Sequence, residues 1–455
     1  MKILEVIHGY PPHYNAGSEI YTQTVSEELS RHGHNVSVFC RKEDPFSDEY
    51  SLETEVRNGV KVHVINHFTS KDRFKDENVE RRFEEVLSEE APDVVHIGHL
   101  NHLSTGIPEK SKQHNCVVAF TIHDYWLACP RGQFIQMTPS GGLTWPPCPG
   151  QDDSRCAARC YSRMYAGTED MQRHDFEYWT SWINSRMKEI HRQLNFIDFL
   201  ISPSDFVKRR LSSELKLGSD RILLEHYGFD LNRLGGRRRN EDSSFVFGYM
   251  GRIIPAKGVS DLIHAFGMIS GTSELRIWGE ATPSDLAALK KVVLSLPEKV
   301  AKRIRFLGTY ENRDIVRQVL NNVDVIVVPS IWDENSPMVI QEALHARVPV
   351  IAPCHGGMSE LVLDGINGLS FAHRNISSLA SKMQIAVNSP ELLEKLGKRG
   401  NAYSADGSAH PINDHVRFLE YLFNRALRER KNTIKKQNVV ASETGEEIES
   451  TMMRN

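Results

Sequence analysis

The feature that most restricts this chain is its repeated alternation of short, continuously apolar runs with amphipathic ones. KILEVI (2–7), NVSVF, VKVHVI, DVVHI, VVAFTI and DFLIS follow one another in the first half. FVFGYM, ELRIW, RIRFLG, DVIVVPS and VPVIA do so in the second. Between them stand segments with apolar residues at helical spacing, such as SEIYTQTVSEELSRHG (18–33), VSDLIHAFGMI, SDLAALKKVVLSL and PMVIQEALHA. A strand that is apolar on both faces must be covered on both faces, and consecutive parallel strands need crossovers, which these helices supply. The pattern predicts an α/β protein with parallel, helix-covered sheets.

One break interrupts the pattern. LNRLGGRRRNEDSS (231–244) is polar, charged and glycine-containing, so it reads as a linker. The expected organisation is a first Rossmann-like domain at 1–230, the linker, and a second at 245–432. The second carries a late helix near Ile412–Arg430, and a polar, disordered tail follows at 433–455. A length of 455 residues suits two such domains. Facing each other, they would form a cleft at the carboxyl ends of their strands, where ligands of such sheets bind. An irregular insert, about 129–175, is long for a loop in a compact domain, so it is expected to be functional or tied down.

Composition narrows the function classes. Hydrophobic residues make up 40% and charged residues 25%, and the net charge is −4, which speaks against a general nucleic-acid binder. No apolar run is long enough to cross a bilayer, and MKILEVIHGYPP reads as a first strand and not a signal peptide. The expected location is the cytoplasm, with peripheral contact at the inner face of the cell membrane left open. DFEYWTSWINSRMKEIHRQLNF (175–196) mixes aromatic and basic residues at helical spacing. It either lies on an anionic membrane or packs on the first sheet. Of seven cysteines, Cys40, Cys116 and Cys354 read as inert core thiols. Cys129, Cys148, Cys156 and Cys160 crowd the insert and are a candidate structural zinc site.

The stretch WDENSPMVIQE (332–342) carries the sharpest chemical signal. Ser336 is a good N-cap and Pro337 suits the first helical position, so a helix is expected to start here with its free N–H groups turned to an anion. Glu334 and Glu342 flank that N-terminus and could accept hydrogen bonds from hydroxyls at the two ends of a ligand with a diphosphate centre. The alternative is an ordinary capped helix with solvated acids. In GYMGRIIPAKG (248–258), Arg252 and Lys257 stand in the loop after a strand, where two cations could neutralise a diphosphate. CHGGMSE (354–360) sets Gly356 and Gly357 at another strand end, where backbone can approach a ligand or simply turn. Gly17 stands just ahead of the first helix, and His123 ends a strand-like run facing the presumed cleft, with Asp124 beside it.

Taken together, WDENSPMVIQEALHARVPVIAPCHGGMSELVLDGINGL, GRIIPAKGVSDLIHAF, HYNAGSEIYTQTVSEELSRHGHNVSV and TIHDYWLACPRGQ resemble the retaining GT-B glycosyltransferases of the GT4 family (glycosyl transferase group 1). The resemblance implies a GT-B fold and transfer of a sugar from a nucleotide-diphosphate sugar, with retention, to a glycan or lipid-linked acceptor. It implies no metal cofactor for catalysis. It assigns Arg252 and Lys257 to the donor diphosphate, Glu334 to the transferred sugar and Glu342 to the ribose. Ser336, Met338, Val339, Gly356 and Gly357 fall on the donor side. Gly17 belongs to the loop approaching the donor phosphate, and His123 to the sugar's reacting face. Ala16–Gly17 stands where many relatives have two glycines, and IWGEA differs from the more usual glycine pair. A GT-B nucleotide-sugar epimerase and a non-catalytic nucleotide-sugar-binding protein share the architecture and stand as alternatives.

Overall fold

The computed structural model describes residues 1–69, 73–137, 145–165, 169–218, 220–240 and 244–431. The tail expected at 433–455 and parts of the insert (138–144, 166–168) lie outside the described residues.

The first sheet contains β1 (Lys2–Val6), β2 (Asn35–Lys42), β3 (Leu52–Arg57), β4 (Val60–Asn66), β5 (Val94–Ile97), β6 (Val117–Thr121), β7 (Phe199–Ser202) and β8 (Ile222–Leu224). Their order is β3-β4-β2-β1-β5-β6-β7-β8. Every pairing is parallel except β3 with β4. The second sheet contains β9 (Val246–Met250), β10 (Glu274–Trp278), β11 (Ile304–Gly308), β12 (Val325–Val327), β13 (Val350–Pro353) and β14 (Gly368–Phe371). Its order is β11-β10-β9-β12-β13-β14, all parallel. Strands β1, β5, β6, β9, β12 and β13 are buried along their whole length, as two-sided cover requires. The exception in β1 is its first residue, Lys2.

Both sheets reverse their strand order beside their first strand, and the loops leaving β1, β9 and β12 run into the space between the domains. That is where a doubly wound sheet offers a ligand its crevice. The expected linker does not hang free. Arg237 donates to the carbonyls of Leu320 and Val323, and Arg239 pairs with Asp324 at 2.9 Å, so the stretch is laid along the second domain.

The late helix corrects one expected boundary. It spans residues 412–431, and its buried Val416, Leu419, Leu422 and Phe423 join a core with Ile3, Val94, Val117 and Ile201 of the first sheet. The Phe423 ring meets His96 edge-on at 5.8 Å, and His32 and His34 contact Glu420 at 3.0 and 2.7 Å. The chain therefore crosses between the domains twice, and its last helix completes the first domain. Apolar spacing revealed the helix, but spacing does not say which core receives it.

The Phe176–Gln193 helix buries Trp179, Ile183, Arg186, Met187 and Ile190, so the packed arrangement holds over most of its length. The Arg186 guanidinium lies 4.5 Å from the Trp126 ring centre and donates to the Trp126 carbonyl at 2.5 Å. Among the described residues, no helix is long and apolar enough to cross a membrane.

Candidate active site

A cavity of about 580 Å³ lies between the domains. His8, Gly17, Glu19, His99, His123 and Asp124 line it from the first domain. Arg252, Lys257, Glu334, Ser336, Met338, Val339 and Glu342 line it from the second. Gly356 and Gly357 stand behind the wall of this cavity. A Cβ on Gly357 would fall 1.4 Å from the Asn335 carbonyl oxygen, and the Gly357 N–H donates to the Glu334 carbonyl at 2.8 Å. These glycines let β13's exit loop pass directly beneath residues 334–335 and so hold Glu334 in place from behind.

Two helix N-termini meet across the cavity. The Gly17–Arg31 helix starts at Gly17 itself, with Ala16 as N-cap and no side-chain cap. The Met338–His345 helix has Pro337 as N-cap and likewise no side-chain cap. Ser336 was expected to cap it, but its hydroxyl accepts from the Gln341 amide at 3.0 Å instead. The first N–H groups of both helices are thus left for a ligand. A Cβ on Gly17 would sit 3.5 Å from the Met338 sulfur, so the two ends nearly touch. Paired positive dipole ends favour an anion between them.

The second-domain cations and carboxylates interlock. Lys257 Nζ lies 2.6 Å from Glu334 Oε1, which also accepts from the Ser330 hydroxyl at 2.5 Å. The ammonium stands 5.3 Å from the Trp332 ring centre. Arg252 is exposed and enters none of the described ion pairs, so its guanidinium is available to a ligand. Glu342, only 2% exposed, pairs with Arg233 at 2.5 Å. Arg233 belongs to the chain's first crossing between domains, and sequence reasoning did not single it out.

His123 is held by Tyr227, whose hydroxyl lies 2.7 Å from Nδ1. That phenol oxygen also accepts from the Asn335 amide N–H at 3.4 Å, an arrangement in which its own proton can go to Nδ1. With Tyr227 donating to Nδ1, the imidazole carries its proton on Nε2, which has no hydrogen-bond partner among the described residues. Burial pushes the His123 pKa down to about 3, so the ring is neutral near pH 7. Asp124 accepts from the Trp126 N–H at 2.8 Å and lies 3.3 Å from His99. Burial opposes its charge, but His99 and that N–H hold its pKa below the usual carboxylate value. Glu19 behaves alike. Burial works against it, yet His8 at 3.2 Å and the Ser18 hydroxyl bring its pKa to about 2.

Asn335 ties the domains together. It donates to the Ile122 carbonyl at 2.9 Å and accepts from the Ser204 hydroxyl at 2.9 Å. Glu360 adds bonds from the Asp205 and Phe206 N–H groups, opposite the start of the Asp205–Leu215 helix.

The insert forms one wall through Pro130, Arg131, Gln133, Tyr161, Met164 and Tyr165. Its cysteines are all free thiols, and burial raises the Cys156 pKa to about 12, with Cys129, Cys160 and Cys148 as electrostatic neighbours. Tetrahedral zinc with sulfur ligands at about 2.3 Å places sulfurs about 3.8 Å apart. Among the described residues, the groups whose ligand atoms converge within 4.8 Å are Glu225–His410–His415 and His63–Glu89–Glu90. The cysteine quartet is not one of them, so its sulfurs do not form one coordination sphere as they stand. Of the three remaining cysteines, Cys40 and Cys116 are buried as expected, whereas Cys354 is exposed because it follows β13 into the turn.

Two Rossmann-like domains with parallel sheets facing each other across a cavity define the class: the GT-B glycosyltransferases. Residues 16–233 match the family model for Glycosyltransferase Family 4, and residues 236–403 match that for Glycosyl transferases group 1. The chain belongs to this GT4-type family. It is 24% identical over 410 residues to an uncharacterized glycosyltransferase of Methanocaldococcus jannaschii, covering 84% of this chain and 87% of that one. It superposes on Anabaena HepE in complex with UDP with a TM-score of 0.64 at 15% identity, covering 93% of this chain and 100% of the other. Sucrose-phosphate synthase from Thermosynechococcus elongatus gives 0.64 at 18% identity, covering 96% and 99%.

Proposed function

We propose that the protein is a retaining hexosyltransferase that moves a sugar from a nucleotide-diphosphate sugar to a glycan or lipid-linked acceptor, in the building of a polysaccharide or glycolipid. The observation that carries this reading is the opposition of two uncapped helix N-termini beside Arg252 and Lys257, with Glu334 and Glu342 on either side. HepE has been crystallised with UDP and UDP-glucose, and a plant starch synthase with ADP, which supports a nucleotide-sugar donor here.

The diphosphate lies between the helix ends. Arg252, Lys257 and the N–H groups of Met338 and Val339 stabilise the charge that grows on the leaving phosphate. Glu334 holds hydroxyls of the transferred sugar and Glu342 those of the ribose. The Nε2–H of His123 faces the sugar near its reacting carbon. Glu19 and Asp124 are each engaged by a histidine, so the reading uses neither as nucleophile. The acceptor hydroxyl attacks from the leaving-group side and gives its proton to the departing phosphate oxygen, which retains the anomeric configuration. No metal takes part in that step. Met164 and Tyr165, more than a third exposed and on the cavity wall, face the route by which a lipid-linked acceptor would arrive. That route suits a cytoplasmic enzyme working at the inner membrane face.

Calorimetry with GDP, UDP, ADP, dTDP and their sugars tests the donor, followed by assignment of the product's anomeric configuration by NMR. One preferred nucleotide-sugar and a retained configuration are expected, and Glu334→Gln should abolish most transfer while the fold persists. An inverted product or undiminished transfer by Glu334→Gln would refute the mechanism. Release of an epimer without acceptor would support the epimerase alternative instead.

A further inference from the structure

The two crossings between domains meet at a cluster that the transfer reaction does not use. Glu225 follows β8 at the start of the first crossing, and His410 and His415 belong to the returning one. The strands of chain are pinned to each other. The Phe229 N–H donates to the His410 carbonyl at 2.8 Å, and the Ile412 N–H donates to the Phe229 carbonyl at 2.9 Å. A Cβ on Gly228 would come within 2.7 Å of the His415 Cβ, so the close approach depends on that glycine.

Here Glu225 Oε1 faces both histidines, His410 Nε2 at 3.0 Å and His415 Nδ1 at 3.4 Å. His415 is 1% exposed, and its Nδ1 is buried without an aligned hydrogen bond although it points at this carboxylate. Its other nitrogen, Nε2, lies 2.7 Å from the Tyr21 hydroxyl. If the phenol accepts from Nε2–H, the Nδ1 lone pair is left facing the cluster. Ligands held tetrahedrally at about 2.0–2.1 Å from zinc stand about 3.3 Å apart. Glu225 Oε1 is 3.0 and 3.4 Å from the two histidine nitrogens, and all three ligand atoms converge within 4.8 Å. Two imidazoles and a carboxylate suit a borderline divalent cation, and a water would complete the sphere. The other converging group, His63–Glu89–Glu90, already holds the Lys61 ammonium 2.7 Å from Glu90, which fills the place of a cation.

We propose that Glu225, His410 and His415 bind a divalent transition-metal ion, of the Zn²⁺ class, that ties the two interdomain crossings together. The ion is structural: it fixes the angle between the domains. Through Tyr21, whose ring meets His123 edge-on at 4.9 Å, it also steadies the wall of the cavity. The inference rests on the cluster alone and does not depend on the sugar-transfer reading.

The test uses the full-length protein stripped of metal. Zn²⁺ affinity is measured by competition with a chromophoric chelator, and Co²⁺ is added as a spectroscopic probe. One Co²⁺ with the visible d–d bands of a four-coordinate nitrogen and oxygen site and no thiolate charge-transfer absorption is expected. Glu225→Gln and His410→Ala should each weaken Zn²⁺ by at least about tenfold, with Tyr21→Phe weakening it by a comparable factor through the second nitrogen of His415. His410 is part-exposed, so its truncation tests the site without disturbing a core. Strong thiolate charge transfer would assign the metal to the insert cysteines and overturn the proposal. So would Zn²⁺ affinity that is absent in the parent protein or unchanged in both ligand variants.

Discussion

Truncating Asn335 to alanine removes the polar clasp between the domains. The side chain is 4% exposed and makes two well-formed bonds across the interface, to the Ile122 carbonyl and from the Ser204 hydroxyl, each at 2.9 Å. When the domains part, water satisfies these groups, so each bond contributes only its net value, about 1 kcal/mol. Losing both weakens the domain arrangement by about 2 kcal/mol, which multiplies the open-to-closed ratio by up to about 30. The same change removes the N–H that faces Tyr227, so the phenol loses its bias towards donating to His123. Small-angle scattering with and without nucleoside diphosphate should show a larger population of extended molecules. kcat/KM should fall by up to the same factor. Asn335→Asp keeps the acceptor for Ser204 but sets a buried carboxylate against the Ile122 carbonyl, and should be at least as damaging as alanine. An unchanged scattering profile together with unchanged kcat/KM in Asn335→Ala would refute the claim that this residue holds the catalytic arrangement.

Arg252→Ala should weaken binding of the nucleoside diphosphate by about 1.5–3 kcal/mol, the worth of hydrogen bonds to a charged group, and titration calorimetry reads this directly. Unaltered affinity would remove Arg252 from the site. Gly357→Ala drives a methyl group into the Asn335 carbonyl, so the 334–335 turn must move. A loss of about 1–3 kcal/mol in thermal stability and reduced transfer are expected, and parental behaviour in both would show that the turn yields freely. His123 has a folded pKa near 3 against 6.5 unfolded, so the unfolded chain binds the extra proton as pH falls below about 6.5. Urea unfolding should therefore show stability that is full above that pH and declines towards pH 3, with His123 contributing up to about 1.4 kcal/mol per pH unit. His123→Phe should flatten the slope by up to one proton, and an identical slope would contradict the burial argument.

Much of this was legible because two-sided burial leaves an unmistakable trace in sequence. The strands of both cores and the helix at Met338 follow from local pattern, and the family resemblance brought Arg252, Lys257, Glu334 and Glu342 to one site, where the cavity has all four in its lining. What pattern could not convey is pairing between distant segments. Tyr227, Asn335 and Ser204 look like ordinary loop residues until the domains are brought together. Arg233 reads as one more charge in a polar stretch, although it is the partner of Glu342. Ser336 misled because its sequence context is that of a cap, while Gln341, five residues on, competes for the hydroxyl. β3 had a readable cue: Asn58–Gly59, both with positive φ, form the tight turn into β4. Its exposed, charged edge-strand composition hid it from a search for apolar runs.

The docking of residues 412–431 on the first sheet makes the second domain, in topological terms, an insertion within the first. During synthesis the first domain emerges early but lacks one of its walls until residues near 423 have left the ribosome. By then the second domain has had time to fold by itself. A nascent chain must therefore carry an apolar patch formed by residues such as Val94 and Val117 through the making of an entire second domain. Ending the chain before the last helix would leave that patch permanently uncovered, so such truncations should aggregate and not yield a smaller active enzyme. The same topology means that cutting one crossing cannot release either half, because the other crossing still holds it.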